Sequence, residues 1–171
     1  SGMIDFHRIS PQSPAALAAG FILGGPVREY LLFAATLPCY AVLLVMIPGE
    51  LLERGADAGL LWLLPVLFLT LALVYHTLGV AAGLTVSGKK YSNAGSFALL
   101  IIIGMHALCI FPPMSYLSIT APTVVAFGGD RMHLPVALTF FGLNLPLPLL
   151  SLLHQALLFA VLWHVILQKI R

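Results

Sequence analysis

Four stretches of this chain contain no Asp, Glu, Lys or Arg: Tyr30 to Gly49, Ala58 to Gly88, Tyr91 to Gly129 and Met132 to Gln168. An uncharged apolar run of about 18 residues is long enough to cross a ~30 Å hydrocarbon core as a helix. Composition agrees, with 60% hydrophobic residues, 8% charged and a mean hydropathy of +1.04. A soluble domain would carry roughly a quarter charged residues. The sequence is that of an integral membrane protein.

Only helices and closed barrels satisfy their own backbone hydrogen bonds in lipid. The apolar runs are continuous rather than alternating, which selects helices over barrel strands. The expected fold is an all-α polytopic bundle with spans at Glu29–Ile47, Gly59–Val86, Ser92–Phe111 and Leu147–Lys169. Pro38 and Pro65 fall inside the first two spans, where packed neighbours can tolerate the kinks they impose.

The eight basic residues set the orientation. Arg8 and Arg28 precede the first span, Lys89 and Lys90 lie between the second and third, and Lys169 and Arg171 end the chain. Only Arg54 and Arg131 fall in the remaining loops. The positive-inside bias therefore places both termini and the Gly88–Lys90 loop in the cytoplasm. A net charge of +2 gives no electrostatic footprint for nucleic acid.

Two regions are irregular. Residues 1–28 form a cytoplasmic or interfacial segment ahead of the transmembrane domain, residues 29–171. Within the segment, Pro11 and Pro14 suit a helix opening with Ser10 or Ser13 as cap. Ala15 to Leu23 is apolar but short and is bounded by Gly20, Gly24, Gly25 and Pro26, which predicts an interfacial helix rather than a crossing. The outer-side region 112–148 holds six prolines, Pro112, Pro113, Pro122, Pro135, Pro146 and Pro148. No single helix runs through them. Short half-helices, some re-entrant, are expected there, as a gate or lid or as an ordinary extracellular loop.

Intramembrane ionisable residues are functional candidates. Here they are all histidines: His76, His106, His154 and His164. His106 and His154 lie at similar depths, so an alternative reading is a b-type haem held by both imidazoles in an electron carrier. A two-haem arrangement is disfavoured, because ten residues of helix leave His154 and His164 about 80° apart. The blander role for each is a neutral His bonding a backbone carbonyl. No acidic residue lies in a span, so no Ser-His-Asp set or carboxylate pair can be assembled. Ser87-Gly88-Lys89-Lys90 lacks the rest of a phosphate loop. Cys39 and Cys109 are spaced for neither disulfide nor metal and read as packing residues. The sequence thus calls for no cofactor and no catalytic group, and a structural or assembly role is a further alternative.

The order of features resembles the membrane-spanning permease subunit of type-2 ABC transporters, the exporter class. Arg8-Ile-Ser-Pro-Gln-Ser-Pro14 followed by Ala18-Ala-Gly-Phe-Ile-Leu-Gly-Gly25 is similar to a Ser-Pro and Gly-rich segment on that family's cytoplasmic side. Leu78-Gly-Val-Ala-Ala-Gly-Leu-Thr-Val-Ser87 with Lys89, Lys90 and Ala94 resembles its span exit and basic loop. The broken outer region and the final span ending Gln168-Lys-Ile-Arg171 resemble its C-terminal end. That family's membrane domain has six spans, and the four here correspond to its last four. The resemblance implies a missing pair ahead of Ile9, export across the inner membrane, and a second membrane domain as partner. It also implies ATP hydrolysis on a separate ATPase subunit. The segment Ile9–Gly25 would contact that ATPase through Leu17, Phe21 and Ile22. Tyr30, Phe33, Thr36 and Tyr40 recur at roughly helical spacing and would either line the translocation path or form a packing stripe.

The orientation is tested by single cysteines at Gly55 and Gly88 in a background lacking Cys39 and Cys109. An impermeant thiol reagent added outside should label the first and not the second. Labelling of both from one side would sink the four-span reading.

Overall fold

In a computed structural model of the chain, every long element is a helix. It describes residues 12–47, 49–53, 56–85, 99, 101–104, 120–127, 137–140 and 143–170. In chain order these form α1 (Pro14–Ala19), a π-helical turn (Gly20–Gly24), α2 (Val27–Val45), α3 (Gly49–Glu53), α4 (Ala58–Thr85), α5 (Thr120–Ala126), strands β1 (Ala137–Phe140) and β2 (Leu143–Pro146), and α6 (Leu147–Ile170).

Three of the helices, α2, α4 and α6, are long and apolar enough to cross a membrane. At 1.5 Å per residue their 19, 28 and 24 residues reach about 28, 42 and 36 Å. Their ends fall within two residues of the spans expected from sequence. The span expected at Ser92–Phe111 lies outside the described residues, apart from positions 99 and 101–104, which are helical.

Local chemistry explains how the first helix starts and stops. Ala16 N–H donates to Ser13 Oγ at 3.2 Å and Pro14 occupies the first helical position, the pairing favoured at helix openings. Gly20 does not break the helix; the coil widens into the π turn and ends at Gly25–Pro26 instead. A Cβ at Gly25 would come within 3.0 Å of the Phe21 carbonyl oxygen, so this tight exit suits glycine.

The spine of the fold is the pairing of α4 with α6. At one end Leu60, Leu61, Leu64 and Leu67 of α4 cluster with Leu147 of α6 and with Val125 and Ala126 of α5. At the other end Ala81 of α4 clusters with Ile166 and Ile170 of α6, and the first helix inserts Leu17, Ala18 and Ile22 between them. The two helices therefore run parallel. Asp57 fixes the start of α4: its carboxylate accepts Leu60 N–H at 3.0 Å, and its own N–H donates to the Ala126 carbonyl at 3.1 Å.

The outer region differs from the expected set of half-helices. Its described residues contain a short helix, α5, and also an antiparallel hairpin pairing Ala137 with Pro146, Leu138 with Leu145, Thr139 with Asn144 and Phe140 with Leu143. Leu143-Asn-Leu145 carries the period-2 alternation of a strand, which outweighs the local proline count. Pro146 closes its strand and Pro148 lies in the first turn of α6, both positions where a missing N–H does little harm.

Helix α2 buries none of its residues. Its apolar side chains, among them Leu31, Leu43 and Val45, are uncovered, as suits a helix facing lipid. Two tyrosines attach it to α4. The Tyr40 hydroxyl donates to the Leu61 carbonyl at 2.6 Å. In an α-helix that carbonyl would accept from the N–H four residues on, but that residue is Pro65, which has none. Tyr40 thus supplies the donor that Pro65 lacks. Near the opposite end of α2, the Tyr30 hydroxyl and His76 Nδ1 share a 2.9 Å hydrogen bond, with the rings edge to face at 5.3 Å between centroids.

Tyr40→Phe should therefore destabilise the protein by about 1–3 kcal/mol, the cost of an unsatisfied buried acceptor. The loss should shrink when Pro65→Ala restores an N–H for Leu61. Unfolding in mixed micelles, run as a double-mutant cycle, measures it, and additive effects would refute the role given to Tyr40.

Candidate functional site

Halfway along the α4–α6 pair the apolar contact is interrupted by polar side chains. Thr70 is the thirteenth residue of α4 and Gln155 the ninth of α6. Thr70 Oγ1 hydrogen bonds the Gln155 side-chain amide, and Gln155 Nε2 donates across one helical turn to Ser151 Oγ at 3.4 Å. Gln155 is 4% exposed and Ser151 fully buried. Thr70 Oγ1 also lies 3.0 Å from the carbonyl oxygens of Val66 and Leu67. One hydroxyl proton serves these acceptors in turn, while the amide gives Thr70 a partner across the helix interface.

Beside this pair opens a cleft of about 340 Å³, lined by Thr70, Leu73 and Val74 from α4 and by Leu152, Gln155, Ala156 and Phe159 from α6. Ala156 contributes only a methyl group to this wall. Phe159 bounds the cleft and stacks on Trp163 at 5.9 Å between centroids. An enclosed void of this size, at ~24 cal/mol per Å³, would cost about 8 kcal/mol, comparable with the whole stability of a domain. The cleft is open-sided, so it is filled from the surrounding medium. Its volume falls within the ~300–1,000 Å³ range of small-molecule sites.

The residues singled out from sequence distribute as follows. Tyr30, Phe33 and Tyr40 are half-buried, and Thr36 is exposed with its hydroxyl donating to the Phe33 carbonyl at 2.7 Å. Tyr30 and Tyr40 are bonded to α4 and do not border the cleft. Leu17 and Ile22 are buried against Ala81, Ile166 and Ile170, and Phe21 packs at the edge of that cluster. What the first helix presents outward is instead Leu23, 53% exposed, with Ala15, Ala16, Gly20 and Gly24. His76 meets Tyr30, and His164 Nε2 lies 2.8 Å from Gln168 Nε2. His154 is half-buried on α6, while His106 and Cys109 lie outside the described residues. Among the described residues no group of three or more His, Cys, Asp or Glu could hold a metal.

The cleft-forming Gln155 carries no charge, and a search for ionisable residues passes over it. Ser151 and Gln155 at i and i+4 within an uncharged run were the available signal. No family model, no curated protein and no solved structure matches this chain.

A double-mutant cycle on Thr70→Val and Gln155→Leu should give a coupling of about 0.6–1.7 kcal/mol, the range for hydrogen bonds between membrane helices. A coupling near zero in detergent unfolding titrations would show that the pair does not hold α4 to α6.

Proposed function

We propose that this chain is a membrane-spanning permease component of a type-2 ABC export system, contributing part of the translocation path and driven by a separate ATPase. The observation that carries the reading is the seat of the first helix. It contacts α4 and α6 together, at one end of the pair whose middle holds the cleft. A partner moves a membrane domain only through contacts that differ between its two states. Force applied to this helix would act on both walls of the cleft at once. The π turn within it is a type of helix irregularity frequent at functional sites.

Four crossings fit the same reading. Because α4 and α6 are parallel, the chain leaving Thr85 has to return to the opposite end, where α5 packs on Leu60 and Leu61. From Leu61 to Thr85 that distance is about 36 Å, a path that in lipid calls for a helix. The six-to-two division of basic residues supports cytoplasmic termini, with the first helix on the ATPase side; the inner membrane is what the family resemblance implies. A second membrane domain would complete the path, and α2, which buries none of its residues, offers one apolar face for it.

The test is purification of the tagged full-length protein from its native membranes. An ATPase should co-purify, and Leu23→Asp on the outward face of the first helix should reduce its recovery about tenfold or more, as for loss of an interface hot spot. Phe21→Asp is the poorer probe, because Phe21 packs on the protein's own core. Absence of any ATPase from the wild-type preparation would remove the proposal.

A further inference from the structure

The lining of the α4–α6 cleft restricts what can occupy it. None of its side chains is ionisable, and its polar atoms are confined to Thr70 and Gln155. Toward the ends of the helices at Thr85 and Ile170, the walls continue as Leu73, Val74 and Phe159. Ala156 and the flanking Leu153 and Leu157 are exposed, so the entrance lies on the apolar flank of α6.

We propose that the cleft binds a neutral, lipid-like molecule: a hydrocarbon chain bearing one uncharged hydrogen-bonding group, entering sideways from the bilayer past Ala156. Its polar group sits on the Gln155 amide and the Thr70 hydroxyl, and its chain lies along Leu73, Val74 and Phe159. A carboxylate or ammonium at this depth would lose its hydration with no counter-charge to replace it. A pure hydrocarbon fits the walls but gains nothing from the polar pair. A hydroxyl both donates and accepts, so it joins the Thr70–Gln155 pair without leaving either residue unpaired. The volume of about 340 Å³ is more than twice the ~150 Å³ of an apolar cavity that takes up benzene, which leaves room for a head and part of a chain. The inference deepens the reading of the cleft as part of a transport path, but its test reads binding alone.

The full-length protein is reconstituted in phosphatidylcholine nanodiscs with a long-chain fatty alcohol carrying a mid-chain diazirine. After irradiation the labelled residues are mapped by mass spectrometry. Labels should concentrate on the cleft residues Leu73, Val74, Ala156 and Phe159. Unlabelled alcohol should compete about tenfold better than an alkane or, at alkaline pH, a fatty carboxylate of equal length, the factor set by one good hydrogen bond. Ala156→Phe, or Ala156→Leu if the larger side chain prevents reconstitution, should reduce cleft labelling about tenfold. Gln155→Leu should erase the preference for alcohol over alkane. Labelling spread evenly over lipid-facing Leu69, Leu153 and Leu157 would overturn the proposal. So would alkane competing as well as alcohol, which would make the cleft a gap filled by bulk lipid tails. Site-specific labelling of a protein that recruits no ATPase keeps this site and discards the permease. ATPase-coupled protein without cleft labelling does the reverse.

Discussion

Hydrocarbon offers no hydrogen bonds, so every backbone carbonyl a proline releases must find a donor inside the protein. That constraint decides how α2 sits on α4. Pro65 cannot donate to Leu61, and Tyr40 does so from the neighbouring helix at 2.6 Å. A tyrosine is well suited, since its ring is at home in an apolar setting and its hydroxyl reaches a carbonyl across a helix interface. Tyr30 on His76 is the second polar attachment; apart from Leu44 packing on the edge of the Leu60–Leu61 cluster, α2 relies on these contacts and buries no residue of its own. The α4–α6 pair is built the opposite way, from apolar clusters at both ends.

Those end clusters fix the relation of α4 to α6. Thr70 meets Gln155 at a separation of 85 positions, and Ala81 shares a cluster with Ile166 at the same separation. Two helices in parallel register with tight ends and a small residue at mid-height leave a gap between them. The cleft is lined by residues of α4 and α6 alone, with Ala156 contributing only a methyl group to its wall. The first helix is wedged into only one of the two clusters. The other end is capped by Asp57 and α5, so the two ends of the pair are held by different parts of the chain.

Much of this was legible in the sequence where one physical rule acts alone. Uncharged runs located α2, α4 and α6, and the two cap candidates Ser10 and Ser13 narrowed the start of the first helix, which the structure places at Ser13. Legibility failed where the partner is remote in sequence. The stripe Tyr30, Phe33, Thr36 and Tyr40 has the period of a helix face, but nothing in it tells that Tyr40 serves a carbonyl 21 residues away. Leu17 and Ile22 read from sequence as a docking face, and it is the positions of Ala81 and Ile166 that turn them inward. The hairpin was hidden because its strands are four residues each and lie among prolines that dominate any local reading.

The polar residues of α4 and α6 differ in what they require, and this difference locates the cleft's chemistry. Thr70, Thr77 and Thr85 each donate to carbonyls three or four residues back on α4, Thr77 to Leu73 at 2.7 Å. A threonine that bonds its own helix is cheap in a membrane and specifies no neighbour. Glutamine has no such option: its amide is too long to fold back so simply and carries two donors as well as an acceptor. One turn of helix supplies Gln155 with only Ser151, at a long 3.4 Å. The remainder has to come from another helix or from a ligand. Thr70 meets that need in part, and the cleft opens beside the same amide. Gln155 is therefore the residue at which helix pairing and ligand binding draw on the same hydrogen-bonding groups, so an occupant that engages the amide alters the strength of the α4–α6 contact.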